Sequence, residues 1–171
     1  NIGDNSFEGC TLLTKLSLPK SLQNIGENVF NGITELEIEG NIQHLPNNSF
    51  KDCSSLTKII LPKSLTTIGT STFENCKSLQ EIIIPSTVTT IGEHTFEGCT
   101  SLSQISLPSN LKSIESHLFK TCISLKEIII PPNTTNIGDH SFEGCTLLTK
   151  ILLSSSLQNI GENVFNGITE L

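Results

Sequence analysis

Five residue types are missing from this chain of 171 residues, which contains no Ala, Arg, Met, Trp or Tyr. The restricted alphabet leaves few side chains for chemistry. Charge is sparse and unbalanced, because 17 acidic residues outnumber ten lysines that are scattered along the chain, and the formal net charge is -7. Nucleic acid is therefore not expected as a partner, since proteins that bind it present clustered cations to the phosphates.

Long apolar runs and catalytic motifs are missing as well. The chain has no run of 18 apolar residues, so we expect no membrane insertion by this segment. It has no charged-then-apolar leader and no initiator Met, which is typical of an interior piece of a longer chain. It also lacks G-x-S-x-G, H-E-x-x-H, P-loop and G-x-G-x-x-G motifs. We therefore expect a protein that is not an enzyme and needs no cofactor.

What the sequence does contain is a repeat. Its eight phenylalanines are spaced by 23, 20, 23, 23, 23, 23 and 23 residues. They are Phe7, Phe30, Phe50, Phe73, Phe96, Phe119, Phe142 and Phe165. A fixed period of roughly 20 to 50 residues indicates units that cannot bury their apolar face alone and must stack on their neighbours. The sequence predicts a single solenoid domain of about seven such units over residues 1–171.

Each unit follows the pattern L-x-x-I-x-L-P-x-x-L-x-x-I-G-x-x-x-F-x-x-C-x-x, which is clearest from Leu56 to Cys76. The I-x-L segment alternates with period two, so Ile59 and Leu61 should point inward and Ile60 outward, as in a short strand. Proline should end this strand, and a second short strand should follow. The next glycine should supply a positive φ or a close backbone approach. The Phe-x-x-Cys piece should return the chain as a short helical turn.

One unit, near residues 30–49, has 20 residues instead of 23. Counting back from the next phenylalanine places Ile33 in the leucine position that opens the pattern, so the missing residues should come from the segment that returns the chain after Phe30. A longer repeat is also present, because residues 2–36 match residues 137–171 with only five differences. Neither end carries a polar cap, so the chain is expected to be a fragment of a longer array.

The L-x-x-I-x-L core resembles leucine-rich repeats, and the I-G-x-x-x-F-x-x-C segment resembles their BspA-like subclass over essentially the whole chain. A P-x-x-L segment replaces the buried asparagine of standard leucine-rich repeats, which favours the subclass. The resemblance implies a mainly β, right-handed leucine-rich-repeat superhelix with a parallel sheet on its concave face. It also implies presentation at the surface of bacteria or parasitic protists and adhesion to host or matrix proteins. A shared fold alone does not fix a function.

The six cysteines occupy one position in the unit, three residues after a phenylalanine. They are Cys10, Cys53, Cys76, Cys99, Cys122 and Cys145. We interpret them as a column of buried thiols that act as small apolar side chains. Units stacked about 5 Å apart would also bring neighbouring thiols near disulfide distance. Zinc is not expected, because the sequence contains no C-x-x-C pair.

Three histidines form a second column, each two residues before its phenylalanine. They are His94, His117 and His140. Imidazoles in a row could bind a metal ion. Asn or Ser takes the same position in other units, however, which favours an exposed turn without a ligand. No metal site is therefore expected.

Two outward columns on the first strand supply the candidate binding residues. The position before I-x-L runs Lys15, Glu35, Lys58, Glu81, Gln104, Glu127, Lys150, Glu170. This alternation should pair opposite charges on neighbouring strands, with Lys15 beside Glu35. The other column places Ile60 beside Ile83 and Ile129 beside Leu152, and such small apolar patches often mark interaction surfaces, although β-propensity alone would also explain them. The candidate set is Lys58, Ile60, Glu81, Ile83, Gln104, Glu127, Ile129, Lys150 and Leu152.

The favoured hypothesis is a non-enzymatic scaffold, a surface-exposed or secreted adhesion module that binds a protein partner through its concave face. A host matrix or cell-surface protein is the expected kind of partner. One alternative is a cytoplasmic scaffold that organises other proteins. A second alternative is a spacer or stalk that projects another domain, which many near-identical units would favour.

Overall fold

The computed structural model describes residues 1–26 and 28–169, and none of them is in a helix. The chain forms a β-solenoid with two series of strands. The longer strands are β1 (Lys15–Ser17), β2 (Glu35–Glu39), β4 (Lys58–Ile60), β6 (Glu81–Ile83), β8 (Gln104–Ser106), β10 (Glu127–Ile129) and β12 (Lys150–Leu152). The shorter strands are β3 (His44–Leu45), β5 (Thr67–Ile68), β7 (Thr90–Ile91), β9 (Ser113–Ile114), β11 (Asn136–Ile137) and β13 (Asn159–Ile160).

Equivalent strands of neighbouring units pair in parallel, so each unit stacks on the next. In the shorter series Ile68 lies beside Ile91, which is 23 residues later. In the longer series successive side chains point to opposite faces, so that Ile59 is 4% exposed and Ile60 is 48% exposed. These features confirm the predicted parallel repeat solenoid and its inward and outward columns.

Strand β2 has a register that the sequence did not predict. The expected neighbour of Lys15 was Glu35, but the structure pairs Lys15 with Glu37 and Ser17 with Glu39. Strand β2 has five residues, and β1 pairs with its last three while β4 pairs with its first three. A shift of two residues keeps every side chain on the same face, so the core tolerates it.

The short unit loses residues where the sequence predicted. The Ile33 N–H donates to the Phe30 carbonyl at 3.2 Å, just as the Cys53 N–H donates to the Phe50 carbonyl at 3.1 Å. Strand β2 then begins two residues after Ile33, whereas β4 begins five residues after Cys53. Ile33 therefore takes the position of the cysteine and that of the following leucine together.

The phenylalanine rings form the centre of the core. Neighbouring rings stack with their centroids 4.7–6.0 Å apart and their planes 4–20° from parallel. The six rings from Phe30 to Phe142 are completely buried, while Phe7 and Phe165 are partly buried. The neighbouring units cover both faces of an inner ring, and an isolated unit would leave its ring exposed to water.

The segment around each phenylalanine is not a helical turn, which corrects the expectation from sequence. Residues two before and two after the ring have a positive φ, such as Ser71 at 53° and Asn75 at 60°. These left-handed residues interrupt any helix. Isolated turns remain, each with a hydrogen bond between residues three apart, such as Cys76 N–H to Phe73 O at 3.1 Å. The Phe73 N–H instead donates to Thr95 O of the next unit at 2.9 Å.

The glycine that follows a shorter strand allows a close backbone approach and does not have a positive φ. A Cβ on Gly92 would lie 2.6 Å from the backbone nitrogen of Thr70 in the preceding unit, too close for ordinary contact. Four other glycines are similarly placed: Gly26, Gly69, Gly138 and Gly161. The structure thus decides between the two roles that the sequence left open.

Removal of a central ring should destabilise the array more than removal of an end ring. We expect Phe96→Ala to lower the free energy of unfolding by about 3–5 kcal/mol, through lost burial and a cavity. Phe7→Ala should cost less, because Phe7 is only partly buried and stacks on the single ring of Phe30. Guanidinium melts of both variants measure the difference, and equal losses would contradict it.

Thr121 is a β-branched residue with a φ of 58°, a conformation that strains such side chains. We expect Thr121→Asn to raise the free energy of unfolding by about 1 kcal/mol, because Asn tolerates the left-handed region. Thr146→Asn is the control, since Thr146 is exposed and does not have a positive φ. Denaturant melts check the prediction, and an equal effect of both substitutions would contradict the strain argument.

Candidate functional site

The nine candidate residues lie on one face of the solenoid, together with Ser106. We call this surface the strand face: it consists of the first and third residues of β4, β6, β8, β10 and β12, all of them exposed. The middle residue of each strand points into the core or packs against it. The backbone pairing and these inward anchors hold the outward side chains in fixed rows.

Two pairs of exposed apolar side chains stand on the strand face. Ile60 is 48% exposed and Ile83 on the next strand is 77% exposed. Ile129 and Leu152 are direct strand partners and are 61% and 47% exposed. Ser106 pairs with Ile83 on its other side, so polar residues separate the two pairs. The structure therefore places side by side the residues that the sequence predicted as neighbours.

Charged side chains border these apolar pairs. The Lys150 ammonium lies 3.3 Å from the Glu127 carboxylate across the ladder, as the alternation predicts. Lys58 is the strand partner of Glu35. Such exposed pairs contribute little to stability, roughly 0–1 kcal/mol each. Glu170, the last member of the predicted alternation, lies outside the described residues.

The shifted register of β2 gives Lys15 two carboxylate partners. Its Nζ lies 2.9 Å from Glu37 and 3.2 Å from Glu39. Hydrogen bonds to Glu37 and then Glu39 raise the pKa of Lys15 above its ordinary value. The ion pair of Lys15 is thus made two residues away from the position that the sequence predicted.

The strand face is divided between three hydrogen-bonded ladders. Among the described residues, β1, β2 and β4 form one ladder, β6 and β8 another, and β10 and β12 a third. A groove of about 780 Å³ lies at the first interruption, between β4 and β6. Ile60 and Ile83 form its walls, and Lys63 and Ser86 lie where the strands end. A smaller cavity of about 360 Å³ beside β8 is lined by Ile83 and Ile105 as well as by the polar Gln104 and Ser106.

Sequence reasoning did not select Lys63, Ser86 or Thr87 as site residues, although they line this groove. A usable signal was present, because Lys63 and Ser86 each follow the proline that ends a longer strand. Side chains just beyond two neighbouring parallel strands must meet at the same edge of the sheet.

The cysteine column is buried, as predicted, except at Cys10. The four thiols from Cys76 to Cys145 donate to phenylalanine carbonyls of the preceding unit at 3.1–3.2 Å. All six cysteines are free. Burial raises the pKa of Cys53, Cys99 and Cys145 to about 12. These thiols therefore pack as small apolar side chains and are poor nucleophiles.

The three histidines of the second column stack on one another. The ring centroids of His94 and His117 are 4.5 Å apart, and those of His117 and His140 are 4.9 Å apart. The Nδ1 atoms of His94 and His140 lie 2.6 and 2.7 Å from the carboxylates of Glu97 and Glu143. Nδ1 of His117 is buried and has no hydrogen-bond partner within residues 1–26 and 28–169.

Backbone conformation explains which residues occupy this column. Its eight members have φ between 53° and 59°, and Asn, His and Ser are the only types present. Asn and His are enriched in the left-handed region among residues other than glycine. The parallel rings direct their nitrogens side by side, and no group of three or more potential ligands among the described residues could hold a metal ion.

No helix in the part of the chain that the structure describes is long and apolar enough to cross a membrane. A comparison with curated proteins found no match. A family model described as the BspA type leucine rich repeat region matches six copies, over residues 1–102 and 67–171. The matches together span the entire chain.

Solved structures of bacterial leucine-rich repeat proteins share the fold. A protein from Bacteroides ovatus is 30% identical with a TM-score of 0.83, over 99% of this chain and 45% of that chain. A protein from T. pallidum is 30% identical with a TM-score of 0.70, over 86% of this chain and 70% of that chain. A leucine rich cell surface protein from Faecalibacterium prausnitzii is 31% identical with a TM-score of 0.70, over 88% and 41%. The chain spans less than half the length of the first and the third.

The His117 imidazole should make the array less stable in acid. Burial, and then the neighbouring His94, lower the pKa of His117 below its ordinary value, with Glu97 acting in the opposite direction. The unfolded chain binds a proton below about pH 6.5 that the folded chain resists, so the free energy of unfolding falls as the pH decreases. His117→Asn should remove this loss.

Thermal melts at pH 5 and pH 8 test this expectation. The Tm of His117→Asn relative to the unmodified chain should be higher at pH 5 than at pH 8. Ser71→Asn is the matched control, because Ser71 has the same backbone conformation without a titratable group, and its relative Tm should not depend on pH. A pH-independent effect of His117→Asn would contradict the prediction.

Proposed function

Since the chain belongs to the BspA type leucine-rich repeat family, whose repeats generally serve as protein-interaction scaffolds, we propose that it is a surface-exposed or secreted recognition module. It binds a protein partner through the strand face. Repeat proteins of this kind are typically non-enzymatic, and the module works by binding. A host matrix or cell-surface protein is the expected class of partner.

The observation that carries this proposal is the exposure of four large apolar side chains on one ordered face. Ile60, Ile83, Ile129 and Leu152 are 47–77% exposed, although the middle residue of each of their strands lies in the core or packs against it. Water contact of this kind is unfavourable, and clustered exposed apolar residues are typical of interaction surfaces. The polar residues around them, such as Gln104, match the rim of a protein interface.

A relative supports the surface location. The matched protein from Faecalibacterium prausnitzii is described as a leucine rich cell surface protein. That description applies to the relative, and its shared family and fold make the same location the first to test for this chain.

A cytoplasmic scaffold is the second candidate, and the free thiols favour it. All six cysteines are unpaired, and proteins of reducing compartments keep their thiols in this state. A spacer or stalk is the third candidate, and the close match between residues 2–36 and 137–171 favours it. The three candidates differ in where the chain is and in whether its strand face binds anything.

The first arm of the experiment determines location. Intact, unpermeabilised source cells are treated with protease, and the repeat region is detected by immunoblot in pellet and supernatant. Loss of the signal from the pellet is the expected result. A signal that survives until the cells are lysed would contradict the surface location and favour the cytoplasmic scaffold.

The second arm tests the strand face. The purified chain is screened against host matrix and cell-surface proteins, and Ile60→Asp with Ile83→Asp is expected to abolish the binding that is found. The control is Ile123→Asp with Leu147→Asp, which changes two exposed apolar residues outside the strand face. Circular dichroism confirms that both variants remain folded. Binding that survives the first pair of substitutions would contradict the strand-face assignment.

A further inference from the structure

We propose that the groove between β4 and β6 docks one extended segment of the partner protein. A bulky apolar side chain of that segment lies between Ile60 and Ile83, and an acidic side chain lies beside Lys63. This inference rests on the proposed function and specifies the chemistry of the partner at one site.

The walls of the groove provide the apolar contact. Ile83 is the most exposed of the apolar side chains on the strand face, at 77%, and Ile60 faces it from the neighbouring strand. Ile59 and Ile82 line the same groove from the core side. A single apolar side chain in this position would remove both exposed isoleucines from water at once.

The shape of the groove fits an extended chain. Its volume of about 780 Å³ lies within the range of small-molecule binding pockets and is large enough to receive a side chain. It runs along the strands, from Lys58 and Glu81 at one end to Lys63 and Ser86 at the other. Among the described residues, β4 and β6 do not pair with each other, so the groove lies where the ladder is open.

The charges at the two ends of the groove differ, and this difference favours an acidic side chain at one end. Lys58 has Glu35 as its strand partner, and Glu81 lines the groove opposite to it. At the other end Lys63 lines the groove with Ser86 and Thr87, and Glu81 is the one acidic residue among the described residues that line the groove. Neither Lys58 nor Lys63 is in an ion pair among the described residues, but only Lys58 has carboxylates on the neighbouring strands. The Lys63 ammonium is thus a cation with room for a carboxylate from outside the chain.

The other apolar pair of the strand face is closed by comparison. Ile129 and Leu152 are partners within an intact ladder, and the ion pair of Glu127 and Lys150 stands beside them. Pro132 takes the position there that Lys63 takes in the groove. This second pair therefore offers a matched control with the same apolar chemistry and without the open ladder or the end cation.

The test is selection from a phage-displayed library of random linear peptides on the purified chain. Enriched peptides should carry a bulky apolar residue and a nearby acidic residue. A synthetic peptide of the enriched sequence is then titrated by fluorescence polarisation. Ile83→Asp should weaken its binding by about tenfold or more, and Lys63→Glu by several-fold with a new preference for basic peptides. Ile129→Asp should leave the affinity unchanged.

The outcomes separate this proposal from the broader one. A failure to enrich peptides, or equal loss of binding in Ile83→Asp and Ile129→Asp, overturns the groove proposal while the strand face can still bind a folded protein. Enriched peptides that bind all three variants equally well also overturn it. The strand-face proposal is judged separately, by whether Ile60→Asp with Ile83→Asp abolishes binding to a folded protein found in the screen against host matrix and cell-surface proteins.

Discussion

The register in which each unit hydrogen-bonds to its neighbours is the constraint on which the structure depends. In the return segment, the N–H groups of Asn48, Phe50 and Asp52 donate to carbonyls of the next unit at 2.8–3.0 Å. At the corner after the shorter strand the direction reverses, and the Gly69 N–H donates to the preceding unit at 2.9 Å. Each unit is thus bonded to its neighbours at several points around the coil, and these bonds hold equivalent positions of the units in line. The two-residue shift of β2 against β1 is a local exception, since Ile2 still pairs with Ile25 and Phe7 still stacks on Phe30. Columns of identical residues are the direct consequence.

Much of the fold could be predicted because each position of the pattern recurs in several units. Phe, Cys and the strand isoleucines recur at one spacing, so each position is supported by several units. The return segment was predicted wrongly because Phe and Cys stand three residues apart, which also suits a helix. Asn recurs two residues before the phenylalanine, and Gly, Asn or Asp recurs two residues after it, and these residue types indicate the left-handed turns that the structure has. The sequence prediction rested on the three-residue spacing of Phe and Cys and did not use these turn residues.

Features that occur once were less predictable than those that repeat. The sequence of β2 alternates over five residues, Glu35 to Glu39, so its pattern allows two registers that are equally good for the core. The candidate site was predicted residue by residue, since outward positions follow from the alternation. The sequence did not predict that β10 and β12, which carry one apolar pair, are hydrogen-bonded to each other while β4 and β6, which carry the other, are not. No local sequence pattern distinguishes the two pairs of strands.

Burial protects the thiols of the cysteine column from oxidation outside a reducing compartment. With a pKa of about 12, as for Cys99, only about one thiol in 10⁵ is ionised at pH 7. Exchange reactions proceed through the thiolate, so the five buried thiols of the folded chain are kinetically inert towards oxidants and towards foreign disulfides. The unfolded chain has no such protection, because its thiols regain their ordinary acidity and become mobile relative to each other. For a chain that crosses into an oxidising environment, speed of folding is therefore what keeps the column from being cross-linked out of order.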